Sequence, residues 1–260
     1  VIEDIYAFIL ALLLIYNNSL VLLGPTAWGT GVGPRKALVV AAVAQLLGVA
    51  TSSMHPLQIG HTTFLYIAVL YFLLSMAKIS LPVSVVSYAI SSLRPEAVAL
   101  WLTSPAASLI AYMWCRLAKR SGALSLLSLF AVMYAFGYNN VALFSRNIVL
   151  TASAIAMGTY LGLGFSRWAA DLVALRQRTA VSINLSAATG ALIGILAHIP
   201  ISFTLVAYSA MLVASYSSAI RVVKIEKFLR AYLGIIAALL AALIFRAVEP
   251  QLRYLVLRVS

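Results

Sequence analysis

The chain has 260 residues, 63% of them hydrophobic and 9% charged, with a formal net charge of +12 and a mean hydropathy of +1.04. A soluble domain carries about 25% charged residues, so this chain could not cover a surface in water and reads as an all-α integral membrane protein. The basic residues punctuate apolar segments and form no basic face, which excludes a nucleic-acid partner and fits loop anchors under the positive-inside rule.

The first span is expected from about Ile5 to Leu23 and holds Asn17 and Asn18 inside an apolar run. Two adjacent amides there are costly unless they have partners or a task. This segment has neither a basic start nor a small-residue cleavage site, so no cleavable signal is expected. The glycines and prolines of residues 24–34 predict a break in the helix. At membrane depth such a break must be buried in protein or line a wet cavity. Arg35 and Lys36 close that stretch, and a second span runs to about Thr51.

A polar loop over 52–61 carries His55 and His61, and a third span runs from Thr62 to Ala77. Pro82 opens a short serine-rich segment, Val83 to Leu93. The next span, Ala97 to about Cys115, is expected to be broken near Ser104-Pro105. The lone Cys115 gives no disulfide framework.

Further spans are expected over Ala123 to Asn140, Asn147 to Leu163 and Ala180 to Ala197. A surface helix is expected over 165–178, where Asp171 and several Arg residues alternate with Trp168, Leu172 and Leu175. Pro200 opens a second serine-bearing segment to about Ala219, and a last span covers Ala231 to Phe245.

Two phrases in this series occur twice. Tyr16-Asn17-Asn18 returns as Tyr138-Asn139-Asn140, and Pro82-Val83-Ser84 returns as Pro200-Ile201-Ser202. Asn17 precedes Pro82 by 65 residues and Asn139 precedes Pro200 by 61. The same order at nearly the same spacing implies an internal duplication, with repeats over residues 1–120 and 121–260. In a polytopic protein this marks a transporter built from two repeats.

If each Pro-led segment crosses, each half has five spans, about ten transmembrane or re-entrant helices in all, and the second repeat is inverted. With both termini outside, only Arg94, Arg146, Arg246, Arg253 and Arg258 of the 18 Lys and Arg residues lie on the outer side. That distribution agrees with a multi-pass protein of the cell membrane. Val83 to Leu93 is shorter than the roughly 20 residues of a span, so a re-entrant half-helix there is the alternative.

The repeated phrases resemble a known family. Tyr16-Asn17-Asn18 and Gly137-Tyr138-Asn139-Asn140-Val141-Ala142-Leu143 are similar to the Gly-Ala-Asn-Asp-x-Ala-Asn signature of the inorganic phosphate transporters. Gly29-Thr30-Gly31-Val32-Gly33, Leu81-Pro82-Val83-Ser84, Trp101-Leu102-Thr103-Ser104-Pro105 and Ile199-Pro200-Ile201-Ser202 resemble further motifs of that family in the family's order. The resemblance implies a secondary transporter that moves inorganic phosphate, or a similar tetrahedral oxyanion, by alternating access, with sodium or protons as coupling ion. It implies that the signature motifs and the two hairpins meet around the anion near the membrane centre. The signature's Asp is Asn18 in one copy and Asn140 in the other. An amide cannot titrate, so proton coupling through these positions is excluded, and sodium loses its natural ligand there.

The substrate-binding set expected on these grounds is Asn17, Asn18, Asn139, Asn140, Ser84, Ser202 and Thr204. The amides would donate N–H to the anion beside the N–H groups at helix ends. The competing reading makes the Asn pairs interhelical glue, worth roughly 0.6–2 kcal/mol per bond, and the hydroxyls ordinary caps. Arg146 is a candidate anion contact or a loop anchor. His55, His61 and His198 flank span ends and have no metal-ligand spacing, so they are expected at the interface. No Ser-His-Asp order, phosphate-cradling Gly-Lys loop, Cys cluster or buried carboxylate pair is present, so no enzymatic activity, metal or cofactor is expected. The expected partners are the oxyanion, the bilayer and, as one option, a second copy of the chain. The alternatives are a transporter of sulfate or another solute, and a membrane scaffold or accessory subunit that transports nothing.

Overall fold

A computed structural model describes residues 1–167, 176–217 and 225–259, with side chains up to residue 250. Among the described residues every regular element is helical. The elements are α1 (Ile2–Leu22), α2 (Gly24–Gly29), α3 (Pro34–Thr51), α4 (His61–Met76), α5 (Val83–Ser91), α6 (Pro95–Thr103), α7 (Ile110–Leu117), α8 (Gly122–Asn139), α9 (Ile148–Phe165), α10 (Gln177–Ala197), α11 (Phe203–Ser217) and α12 (Ile225–Val259). A 3₁₀ segment, Ser104–Leu109, joins α6 to α7, and a second, Val141–Phe144, follows α8.

Among the described residues seven helical stretches are long and apolar enough to cross a membrane, and α4 and α11 are shorter apolar helices. Their exposed faces carry residues such as Val69, Phe72, Tyr160, Leu196 and Leu240, a surface that only lipid can solvate. The protein is an all-α integral membrane protein.

The break expected over residues 24–34 is present, but only in its second part; a single turn residue, Leu23, separates α1 from α2. Pro25 lies in the first turn of α2, where its missing N–H is not needed. Leu23 stays in the right-handed helical region, and Ala27 N–H donates to Leu23 O at 2.9 Å. The irregular backbone is confined to residues 30–33, where Gly31 and Gly33 take φ of 75° and 91°. The break at Ser104-Pro105 is present as the 3₁₀ segment. The last helix is longer than expected, since α12 continues through Pro250 to Val259. The surface helix expected over 165–178, with Asp171, falls for residues 168–175 outside the described ones.

Two helix pairs organise the interior: α1 packs along α9, and α3 along α8. Both depend on missing side chains. A Cβ on Gly162 of α9 would lie 2.5 Å from Ser19 Cβ, and one on Gly158 would lie 2.9 Å from Ile15 Cβ. In the other pair, a Cβ on Gly48 of α3 would meet the Tyr134 carbonyl, and one on Gly137 of α8 the Gln45 carbonyl. Small residues that let backbones approach are the usual basis of helix association in lipid, where apolar burial drives little.

The chain passes alternately between two faces. The N-terminal face gathers Glu3, the 53–63 segment, Ser91 to Arg94, Leu143, His198 and Glu249 around one cavity. At the opposite face Trp28 Nε1 donates to Ser166 Oγ at 2.9 Å, and Gln177 Nε2 to Thr30 O at 3.0 Å. Helix α5 has nine residues, about 13.5 Å of rise. That is too short to span alone, yet Ser80 before it and Ser91 after it line different cavities.

Candidate functional site

The two Pro-led turns sit between the two cavities, and three of the four asparagines bond to them directly. Proline has no N–H to give, and an extended turn buried in apolar surroundings leaves backbone groups that must find partners. Side chains of α1 and α8 supply several of them.

In the second half the hold is dense. Asn139, the last residue of α8, donates from Nδ2 to Ile199 O at 3.0 Å and accepts from Ile201 N–H at 2.9 Å. Asn140 donates to Ile201 O at 2.8 Å and to Ser84 Oγ at 2.6 Å. Trp101 Nε1 donates to Pro200 O at 2.5 Å. In the first half Asn17 donates to Ser80 Oγ at 2.8 Å. Asn18 donates to Leu14 O of its own helix at 2.9 Å and accepts from Thr204 Oγ1 at 3.1 Å. Asn18, Asn139, Asn140, Ser84, Ser202 and Thr204 are all buried, and Asn17 is half-buried.

A crossed pattern emerges. The first Asn of each pair holds the Pro-led turn of its own half: Asn17 reaches Ser80, and Asn139 reaches Ile199 and Ile201. The second Asn of each pair reaches the hairpin helix of the other half: Asn18 meets Thr204, and Asn140 meets Ser84. Ser202 does something more ordinary; it caps α11, accepting from Leu205 N–H at 3.4 Å. Two bonds thus link members of the expected set, Asn18 to Thr204 and Asn140 to Ser84, while Asn17 and Asn139 bond to the turns and Ser202 lies in the second turn.

Arg146 is not among them. It ion-pairs with Glu3 and lies 3.7 Å from Asp4, at the start of α1. The anchoring of two chain segments at the N-terminal face accounts for it. His55, His61 and His198 come together around the large cavity, and His61 Nδ1 is 2.6 Å from Tyr6 Oη. Among the described residues no group of His, Cys, Asp and Glu could hold a metal.

Sequence reading missed several contributors. Ser80, two residues before Pro82, is one whose hydroxyl was a visible signal. The backbone groups of Ile199 and Ile201 carried none. The third set lines the small cavity. This space of about 100 Å³ is bordered by Asn17, Ser80, Thr204 and Tyr208 together with Lys78, Lys227 and Arg230. The large cavity, about 1390 Å³, opens toward the N-terminal face. Between the two lies a layer of neutral amides and hydroxyls. Asn140 Oδ1 and Ser87 Oγ are buried in it without a hydrogen-bond partner, a state that costs about 1–3 kcal/mol per group. Such a layer can donate several neutral hydrogen bonds, but its amides and hydroxyls cannot exchange protons at ordinary pH.

No protein-family model matches this sequence, and no curated protein matches it. Among solved structures, one described as the sodium-dependent phosphate transporter superposes on 98% of this chain and 100% of its own, with a TM-score of 0.68. The two sequences are 12% identical, so the likeness is one of fold.

Proposed function

We propose that this protein is a secondary transporter that moves inorganic phosphate, or a similar tetrahedral oxyanion, by alternating access. On this reading residues 1–120 and 121–260 are inverted repeats, and the chain is a short, diverged member of the inorganic phosphate transporter family. The N-terminal face, with Arg94 and Arg146 and the end of α12, would be the outer one.

The observation that supports the reading most is the crossed bonding. Asn18 and Asn140 each tie one half's signature helix to the other half's hairpin helix, between cavities on opposite faces. Rocking one half against the other must break or re-form these bonds. Asn18 Nδ2 keeps one hydrogen for an oxyanion, whereas both hydrogens of Asn140 Nδ2 are engaged by Ser84 and Ile201 and become donors to an anion only when those bonds open. Asn139 differs, since both ends of its amide are occupied by the turn it clamps. It is assigned to positioning the second turn and not to the anion.

Uptake of labelled phosphate into liposomes containing the purified protein tests the reading. Replacement of Asn18 by Leu removes the contact to Thr204 and should abolish uptake while the protein still elutes as a single folded species. Wild-type uptake by Asn18→Leu and by Asn140→Leu alike would remove these residues from the transport path.

A further inference from the structure

We propose that the small cavity at the opposite face is a second anion site, which binds the oxyanion with protein cations in place of a coupling ion. This rests on the transport reading above, and adds a station to it beyond the Asn layer.

The lining is asymmetric in charge. Lys78, two residues past the end of α4, and Lys227 and Arg230, on the first turns of α12, converge on the space from two segments distant in sequence. Among the described residues no carboxylate lines it. Glu226, the nearest in sequence, is paired with Arg230 and is itself 65% exposed. The large cavity is different, with Glu3 and Glu249 in its wall beside Arg94.

Neutral donors complete the small site. Ser80 Oγ accepts from Asn17, which leaves its own proton for another acceptor. Asn17 Nδ2 has a second hydrogen beyond the one it gives Ser80. Thr204 borders the cavity and is bonded to Asn18 behind it, so the cavity touches the crossed layer directly. Its volume of about 100 Å³ is roughly three waters' worth, on the scale of a small tetrahedral anion.

Two sources could supply a tetrahedral phosphate at this face, the free ion and a lipid headgroup. The size of the space favours the free ion, and the test separates them. The thermal unfolding midpoint of the full chain in detergent is followed as inorganic phosphate is raised at constant ionic strength, with sodium or choline as the cation. The midpoint should rise equally with either cation. The phosphate concentration for half the effect should increase roughly tenfold or more in Lys78→Gln and in Lys227→Gln, since each loses a charged hydrogen bond. Lys78→Arg, which keeps the charge, should stay near wild type and guards against a folding defect. Lys36→Gln, on the same face but outside the cavity, should change nothing.

Equal weakening by Lys36→Gln would reduce the effect to surface charge and overturn the site. So would a rise that requires sodium, or stabilisation by phosphatidylglycerol but not by inorganic phosphate. Liposome uptake keeps the two readings apart. Normal phosphate uptake with unaltered binding in both Lys→Gln variants removes the cavity site and leaves transport standing. Phosphate binding that depends on both lysines, in a protein that takes up no phosphate, leaves the site standing and removes the transport reading.

Discussion

The two Pro-led turns share a sequence pattern and differ in how they are held. The second, Ile199 to Ser202, is gripped at four backbone points: Asn139 on Ile199 and Ile201, Asn140 on Ile201, and Trp101 on Pro200. The first, Ser80 to Pro82, is tied by one asparagine, through the Ser80 hydroxyl and not the backbone. Its Ser80 carbonyl instead rests directly against Gly234 of α12. A clamped turn and a leaning turn suggest a division of labour in which the second is a fixed reference and the first is free to shift. It is also the first turn, not the second, that borders the basic cavity.

The largest effect should come from breaking the clamp. Asn139→Leu would strand the Ile199 carbonyl and the Ile201 N–H in a dry interior, at about 1–3 kcal/mol for each. We expect a loss of about 2–6 kcal/mol in thermal unfolding, or failure to accumulate as a monodisperse protein. If Asn139→Leu proves no more destabilising than Asn17→Leu, the two turns are held alike and the comparison fails.

A smaller effect should follow from crowding the clamped turn. Gly194 of α10 faces it, and a Cβ there would lie 2.5 Å from Ile201 Cγ2 and 2.6 Å from Ile199 O. Overpacking of this kind costs about 1–3 kcal/mol. Gly194→Ala should therefore lower the unfolding midpoint, and a stability unchanged from wild type would show that the second turn yields as readily as the first.

Much of the fold was legible because its signals are local. Apolar length gave the spans, and the doubled Asn-Asn and Pro-x-Ser phrases marked the elements that meet. What was not legible depended on tertiary context. The break expected over residues 24–34 is narrower than the Gly/Pro pattern, because Pro25 occupies a first-turn position that tolerates it and the positive-φ glycines 31 and 33 mark where the irregular backbone lies. The bonds of Asn139 could not be read from the sequence, because its partners are backbone atoms sixty residues away, which no side-chain pattern announces. Lys78, Lys227 and Arg230 were counted as loop anchors; only the folded chain shows that they converge on one space beside Asn17.

The smallest effect on stability, and the one that separates holding from moving most cleanly, is expected at Asn17. Its side chain is half-buried and makes one neutral hydrogen bond, to a hydroxyl that is itself only part-buried. Removing such a bond costs about 0.5–1.5 kcal/mol, and less where water can replace it. Asn17→Ala should therefore unfold within about 1 kcal/mol of wild type. Yet Asn17 is the tether of the leaning turn and a wall of the basic cavity, so phosphate uptake should fall far more than stability does. If Asn17 merely glues α1 to the turn, both quantities should change by the same small amount. A several-fold loss of uptake at nearly constant stability would mean that the first turn's position is set by this one amide, and that the turn is the part that moves.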